Sequence, residues 1–177
     1  MQQASGEIIG ILNSDDFYMH TNVLKEVADA FALDPDLDAV LGDVDFVIDD
    51  DLVRPVRTYR AGFFRPWMFQ IGLMPPHTAV FVRKSAYERV GCYKLGYMIA
   101  ADFDFLVRLL SIDGAKYITV HQHWVRMRTG GVSTSCWRSN LVITWEMLRS
   151  LRENGLFSCL PMLMVRFPVK FIRQVLL

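Results

Sequence analysis

The sequence predicts an α/β fold, a mixed β-sheet flanked by helices. Three observations lead there. Short apolar or Val-rich runs, each closed by Gly, Pro or acidic residues, read as strands at residues 7–12, 39–48, 78–83 and 116–127. Stretches of helical periodicity lie between them, at 21–33, 85–90, 101–112 and 134–153. Elements that alternate in this way bury their apolar faces as a sheet covered by helices. The 177 residues are 52% hydrophobic and 21% charged, which is enough for a substantial core and shows no sign of disorder.

The first strand, Glu7-Ile8-Ile9-Gly10-Ile11-Leu12, reads as buried and ends abruptly in Asn13-Ser14-Asp15-Asp16. Ligands of open α/β sheets sit at the carboxyl ends of such strands. Adjacent carboxylates repel unless a cation or hydrogen-bond donors are present. Mg²⁺ and Mn²⁺ are hard cations that take oxygen ligands, commonly one or two carboxylates plus substrate phosphates. The turn is therefore a candidate metal–phosphate site. The competing reading is a strand-end turn whose Asp caps the next helix.

That helix, 21–33, carries Val23, Leu24, Val27, Ala28 and Phe31 at helical spacing, with Thr21 or Asn22 as N-cap and Asp34-Pro35 as its stop. The strand at 39–48 turns at Asp49-Asp50-Asp51, and 52–59 returns as a hairpin. The aromatic stretch 63–71 is expected to be a short helix lining a groove, with Trp67, Phe63, Phe64 and Phe69 in core packing; stacking on a sugar or lipid is the alternative. The strand at 78–83 precedes a helix at 85–90 stopped by Gly91. The helix at 101–112 closes at Asp113-Gly114, Gly130-Gly131 breaks the chain after the last strand, and Asn154-Gly155 ends the long helix. The organisation expected is a domain over 1–155 and an amphipathic helical tail over 156–177.

Composition excludes some partners. Basic and acidic residues balance at 19 each, whereas nucleic-acid binding rests on a strong positive field. Cys92, Cys136 and Cys159 lack metal-ligand spacing and read as reduced thiols of a cytoplasmic protein. No signal-peptide pattern and no apolar run of membrane-spanning length is visible. In the tail, Arg166, Lys170 and Arg173 fall on one helical stripe beside Phe167, Phe171 and Val175, the pattern of a helix lying on an anionic bilayer; a helix docked on the domain with this stripe facing water is the alternative. The expected localisation is cytoplasmic, with peripheral contact on the cytoplasmic face of the membrane.

Helical geometry separates Asp102 from Asp104. Asp104 shares a face with Val107, Arg108 and Ser111, and Arg108 at i+4 offers an ion pair. Asp102 shares a face with Phe105, Leu106 and Leu109, where partial desolvation would tune a carboxylate toward a base; N-capping is the alternative. His77 follows Pro75-Pro76 at a strand start; an isolated histidine there is more often structural, with contact to an acceptor or diphosphate the alternative. His121 and His123 share a strand face but have no carboxylate or Cys companion near in sequence, so a zinc site is not expected. Arg126 and Arg128 also share a face; solvated surface arginines are the default, and clamping a diphosphate or an acidic acceptor is the functional alternative.

In order along the chain, these segments resemble family 2 glycosyltransferases of the GT-A fold. Gly6-Glu7-Ile8-Ile9 with Leu12-Asn13-Ser14-Asp15-Asp16 looks like that family's central strand and Asp-x-Asp-type motif. Pro76-His77-Thr78-Ala79-Val80-Phe81-Val82-Arg83-Lys84 and Tyr87-Glu88-Arg89-Val90-Gly91 look like its acceptor-side strand and following helix. Ala101-Asp102-Phe103-Asp104-Phe105-Leu106-Val107-Arg108-Leu109 resembles the helix start that carries the catalytic base, and Gly130-Gly131-Val132-Ser133 the substrate-covering loop. Asn13 stands where the family motif usually begins with an aspartate.

The resemblance implies an inverting, metal-dependent enzyme that moves a sugar from a nucleotide-sugar donor to a glycan or lipid-linked acceptor in polysaccharide biosynthesis. Asp16 would hold Mn²⁺ or Mg²⁺, Asn13 and Asp15 would contact the donor, His77, Arg126 and Arg128 would bind substrate, and Asp102 would be the base. The family places a nucleotide-binding βαβ segment before the motif, so the expected fold is an incomplete GT-A-like sheet that lacks this portion. An exposed sheet edge is expected with it. The alternative is a non-catalytic remnant acting as a binding or scaffold module.

Overall fold

The computed structural model describes residues 4–48, 51–129 and 137–176. Their strands are β1 (Ile8–Gly10), β2 (Phe17–Tyr18), β3 (Ala39–Val47), β4 (Arg57–Tyr59), β5 (Val80–Arg83) and β6 (Tyr117–Arg128). Helices are α1 (Val23–Leu33), α2 (Lys84–Val90), α3 (Ala101–Val107), α4 (Trp137–Glu153), α5 (Leu160–Met164) and α6 (Arg166–Leu176). The chain divides into two units. One comprises residues 1–63, 75–92 and 115–129, and the other 64–74, 93–114 and 130–177.

The first unit holds the mixed sheet that the sequence predicts. Its strand order is β1-β5-β3-β6-β2, with β4 also on β3. β3 is the hub. Its first residues pair antiparallel with β5, its last residues pair antiparallel with β4, and β6 runs parallel along its other edge. Every residue of β3 but Phe46 is buried, Asp43 and Asp45 included, so both faces of the strand are enclosed. The return strand predicted at 52–59 shrinks to Arg57–Tyr59, since Pro55 has no N–H to give a ladder. The opening strand also differs from expectation. β1 pairs with β5 alone among the described residues, and of its three residues only Ile9 is buried.

One face of the sheet packs on α1. Val23, Val27 and Phe31 meet Val40, Val44, Phe81 and Trp124, and the Trp124 indole N–H donates to Glu26 at 2.9 Å. Asn22 occupies the N-cap position of α1 but makes no side-chain capping bond. Trp124 lies directly on β3 at Gly42, where an added Cβ would fall 2.3 Å from Trp124 Cε3.

In the second unit, α3 continues as a π-helical turn over Arg108–Ile112, so the predicted helix spans the right residues with a changed winding. The aromatic stretch is 3₁₀ rather than α. Pro66 opens the turn Pro66–Ile71 and Gly72, at φ 73°, closes it. Phe69 is fully buried, edge-on to Phe64 at 5.0 Å and to Phe103 at 5.4 Å, whereas Trp67 is exposed. The tail is two helices. Pro168 lacks the N–H that would bond back to Met164, so α5 ends and α6 begins across Val165.

Arg166 does not belong to the basic stripe predicted for the tail, whereas Lys170 is exposed. Arg166 is buried at 2% exposure, and its guanidinium donates to Thr144 Oγ1 at 2.8 Å and to the Asn140 carbonyl at 3.4 Å. Its long side chain turns under Gly72 and onto α4 instead of facing outward. Among the described residues no helix is long and apolar enough to cross a membrane.

Gly42→Ala tests the β3–Trp124 contact. Overpacking there is expected to cost about 1–3 kcal/mol, read as a lower urea midpoint with unchanged slope. Stability equal to that of the parent chain would show that the indole is free to shift.

Candidate functional site

The acidic turn joins β1 to β2. The Asp16 N–H donates to the Asn13 carbonyl at 3.2 Å, and the Asn13 side-chain amide donates to Asp16 Oδ2 at 2.9 Å. Asn13, Ser14 and Asp15 are exposed, but Asp16 is only 8% exposed. The depth has a topological cause. Asp16 leads directly into Phe17 and Tyr18, which pair with Arg126 and Val125 of β6, and the Arg128 backbone N–H donates to its carboxylate. Burial pushes the Asp16 carboxyl above the usual range. The Asn13 amide opposes this, the Asp15 charge adds to it, and the Arg128 N–H and the nearby His77 oppose it.

The turn thus gathers Asn13, Asp15, Asp16, His77 and the Arg128 backbone. Asp16 does not cap α1, which removes the helix-capping alternative; what it stabilises is the turn itself. The Arg128 side chain is exposed beside it. Arg126 is engaged elsewhere, donating to the Leu52 carbonyl at 3.0 Å. Gly130-Gly131-Val132-Ser133 lies outside the described residues.

The donor set is chemically suited to a hard divalent cation. Asp15 and Asp16 offer oxygens, and a carboxylate held above its usual range by burial gains most from a nearby positive charge. Among the described residues no group of three or more His, Cys, Asp or Glu could hold a metal ion, so the remaining ligands would come from substrate oxygen and water.

In the second unit, Asp102 lies in the first turn of α3, partly exposed, and accepts the Phe103 N–H at 2.7 Å. Asp104 is the deeper acid, the reverse of the order that helical faces suggested. Packing against α4 is the reason. Asp104 Oδ1 receives Ser150 at 2.9 Å, Asn154 at 3.2 Å, and Lys94 and Tyr97 at 3.3 Å, while Oδ2 receives Arg108 at 2.9 Å. Burial alone would raise the Asp104 carboxyl, but Arg108, Ser150 and Lys94 hold it below its usual range. Such a saturated carboxylate is a structural anchor with no lone pair to spare for chemistry.

Glu146 of α4 is a further organiser that sequence reasoning missed. Its carboxylate receives the N–H groups of Met98, Ile99 and Ala100 at 2.6, 2.9 and 2.8 Å, fixing the loop that delivers Asp102. Burial pushes the Glu146 carboxyl up, but those three N–H groups pull it below the usual value. The contact joins residues far apart in sequence, so no local pattern announces it. His121 and His123 also gain companions across the sheet, from Asp43 and Asp45 of β3. The available signal was two acids spaced i, i+2 in an otherwise apolar buried strand.

No protein-family model matches this sequence, and no curated protein matches it. Solved structures do share its fold. The S. aureus TarS 1–349 structure with UDP-GlcNAc aligns at a TM-score of 0.55 and 15% identity, over 83% of this chain and 44% of that one. The same protein with UDP aligns at 0.51 and 15%, over 83% and 42%. A third structure of TarS 1–349 aligns at 0.53 and 12%, over 85% and 42%. The chain therefore has the mixed α/β fold of part of S. aureus TarS 1–349 and spans less than half the length of those chains.

Glu146→Gln is expected to cost about 1–3 kcal/mol at neutral pH, since three N–H groups lose a charged acceptor. A carboxyl held low in the native state stabilises it above the unfolded-chain value, near ~4.3, and that stabilisation is lost as pH falls through the depressed native value. Denaturant titrations across this range should show parent and variant converging in acid. A gap independent of pH would exclude the carboxylate as the cause.

Proposed function

We propose that this chain works in a nucleotide-sugar glycosyltransferase, with the acidic turn binding the donor and its metal ion and Asp102 acting as the base. The observation that carries the reading is the buried Asp16, set beside Asp15, His77 and Arg128 at the end of a strand. The shared fold with a protein crystallised with UDP and UDP-GlcNAc supports it. Asp16 and Asp15 would hold Mn²⁺ or Mg²⁺. When bound, that cation offsets charge on the departing nucleoside diphosphate. Asn13 and Asp15 contact the donor, and His77 and Arg128 contact substrate; Arg126, tied to the Leu52 carbonyl, would join them only by giving up that bond.

Asp102 takes the proton from an acceptor hydroxyl as its oxygen bonds to the anomeric carbon. The bond from that carbon to the diphosphate oxygen breaks, which inverts the configuration. General-base assistance of this kind contributes about 10²–10⁴-fold. The acceptor in this reading is a glycan or lipid-linked sugar. A lipid surface would be met by the exposed Phe167, Phe171 and Ile172 of α6 with Lys170. Flotation with anionic vesicles should then fall for Phe171→Glu; equal flotation of both proteins would refute the membrane contact.

Calorimetric titration of UDP-GlcNAc, with and without Mn²⁺, tests the donor site. Binding should depend on Mn²⁺ and drop at least about tenfold in Asp16→Asn, a loss of about 1.4 kcal/mol. Because burial raises the Asp16 carboxyl, its ionised form destabilises the native state above that raised value, so the variant should keep or gain thermal stability. Asp102→Asn should bind donor normally and lose transfer. Undiminished turnover would remove Asp102 as base, and no binding by the parent chain would favour the non-catalytic module.

A further inference from the structure

We propose that a cleft beside β6 binds a neutral sugar ring at a site separate from the acidic turn. The cleft has a volume of about 370 Å³ and is lined by Asp43, Arg60, Gly62, Phe63, His121 and His123. That volume lies toward the lower end of small-molecule sites, roughly 300–1,000 Å³.

An irregularity in the sheet creates it. Between the pairs Leu41–Thr119 and Asp43–His123, β3 advances two residues while β6 advances four. Bulges of this kind re-aim side chains, and here β6 turns His121 and His123 over the acids of β3. Close approach is built in at Gly62, where a Cβ would lie 2.6 Å from His121 Cε1, so the imidazole rests on bare backbone.

The groups that meet there offer both hydrogen-bonding roles. Asp43, 2% exposed, accepts the Ala61 N–H at 2.7 Å. Asp45, equally buried, receives the Thr58 hydroxyl at 2.7 Å and His123 Nδ1 at 2.9 Å. A carboxylate on Nδ1 selects the tautomer with Nδ1–H, leaving Nε2 of the neutral ring as an acceptor. Burial lifts the Asp43 carboxyl above its usual range, against the pull of His123, His121 and Arg60.

The same chemistry selects the ligand. Buried carboxylates disfavour an anion, and among the described residues these acids and imidazoles do not form a group able to hold a metal ion. A polyhydroxylated neutral ring satisfies the set. Its hydroxyls donate to Asp43 and an imidazole nitrogen, its oxygens accept from Arg60, and its C–H face covers Phe63, which is 45% exposed. Within the transferase reading, and resting on it, that ring is a unit of the acceptor.

The test is ¹H–¹⁵N NMR titration of the full chain with the methyl glycosides of glucose, galactose, mannose and N-acetylglucosamine. At least one should shift the Ala61, Gly62 and Phe63 amides saturably, and Phe63→Ala and His121→Ala should each weaken it about tenfold or more. Asp16→Asn should leave this binding unchanged. No saturable shift with any of the four probes would overturn the proposal, as would shifts that survive both cleft variants or that vanish in Asp16→Asn. If the parent chain binds a glycoside here but not UDP-GlcNAc, the cleft stands and the transferase reading falls.

Discussion

Burial of β3 on both faces is the constraint on which the first unit depends. Three strands take their hydrogen bonds from its two edges, and α1 takes its apolar face. A strand enclosed in this way must keep its polar groups to those that find partners. It carries two acids, and each one is answered: Asp43 by the Ala61 N–H, Asp45 by Thr58 and His123. Gly42 follows from the same enclosure, because the Trp124 ring needs the space a side chain would fill.

The buried carboxylates differ in how fully they are answered, and this separates scaffold from chemistry. Asp104 has donors on both oxygens and sits below its usual range; removing any one donor loosens an internal brace. Asp16 has an amide and one backbone N–H, has a second acid beside it, and is pushed up by burial. An acid left short of positive partners is one that a cation or a substrate can complete. Glu146 is the intermediate case, exposed enough to stay charged and spent entirely on three loop N–H groups.

The α/β class, the long strands β3 and β6 and the helices α1 and α4 were legible because apolar periodicity is local. The acidic turn was legible for a similar reason, since a polar stop to an apolar run is visible without any fold. The depth order of Asp102 and Asp104 was not. A helix wheel says which residues share a face but not which face a neighbour covers, and α4 covers the one with Asp104. Arg166 failed likewise: its spacing with Lys170 matched a surface stripe, and only the approach of α4 and Gly72 drew it inside.

By itself, then, the sequence determined the succession of elements and the residue types able to bind a cation, a phosphate or a proton, because propensity, patterning and turn chemistry act over a few residues. Tertiary structure alone decided which acids are saturated and which are not, where β6 bulges, and that His121 and His123 meet Asp43 and Asp45. Those outcomes depend on desolvation and on partners far along the chain, 78 residues in the case of Asp45 and His123, and neither is written in local spacing.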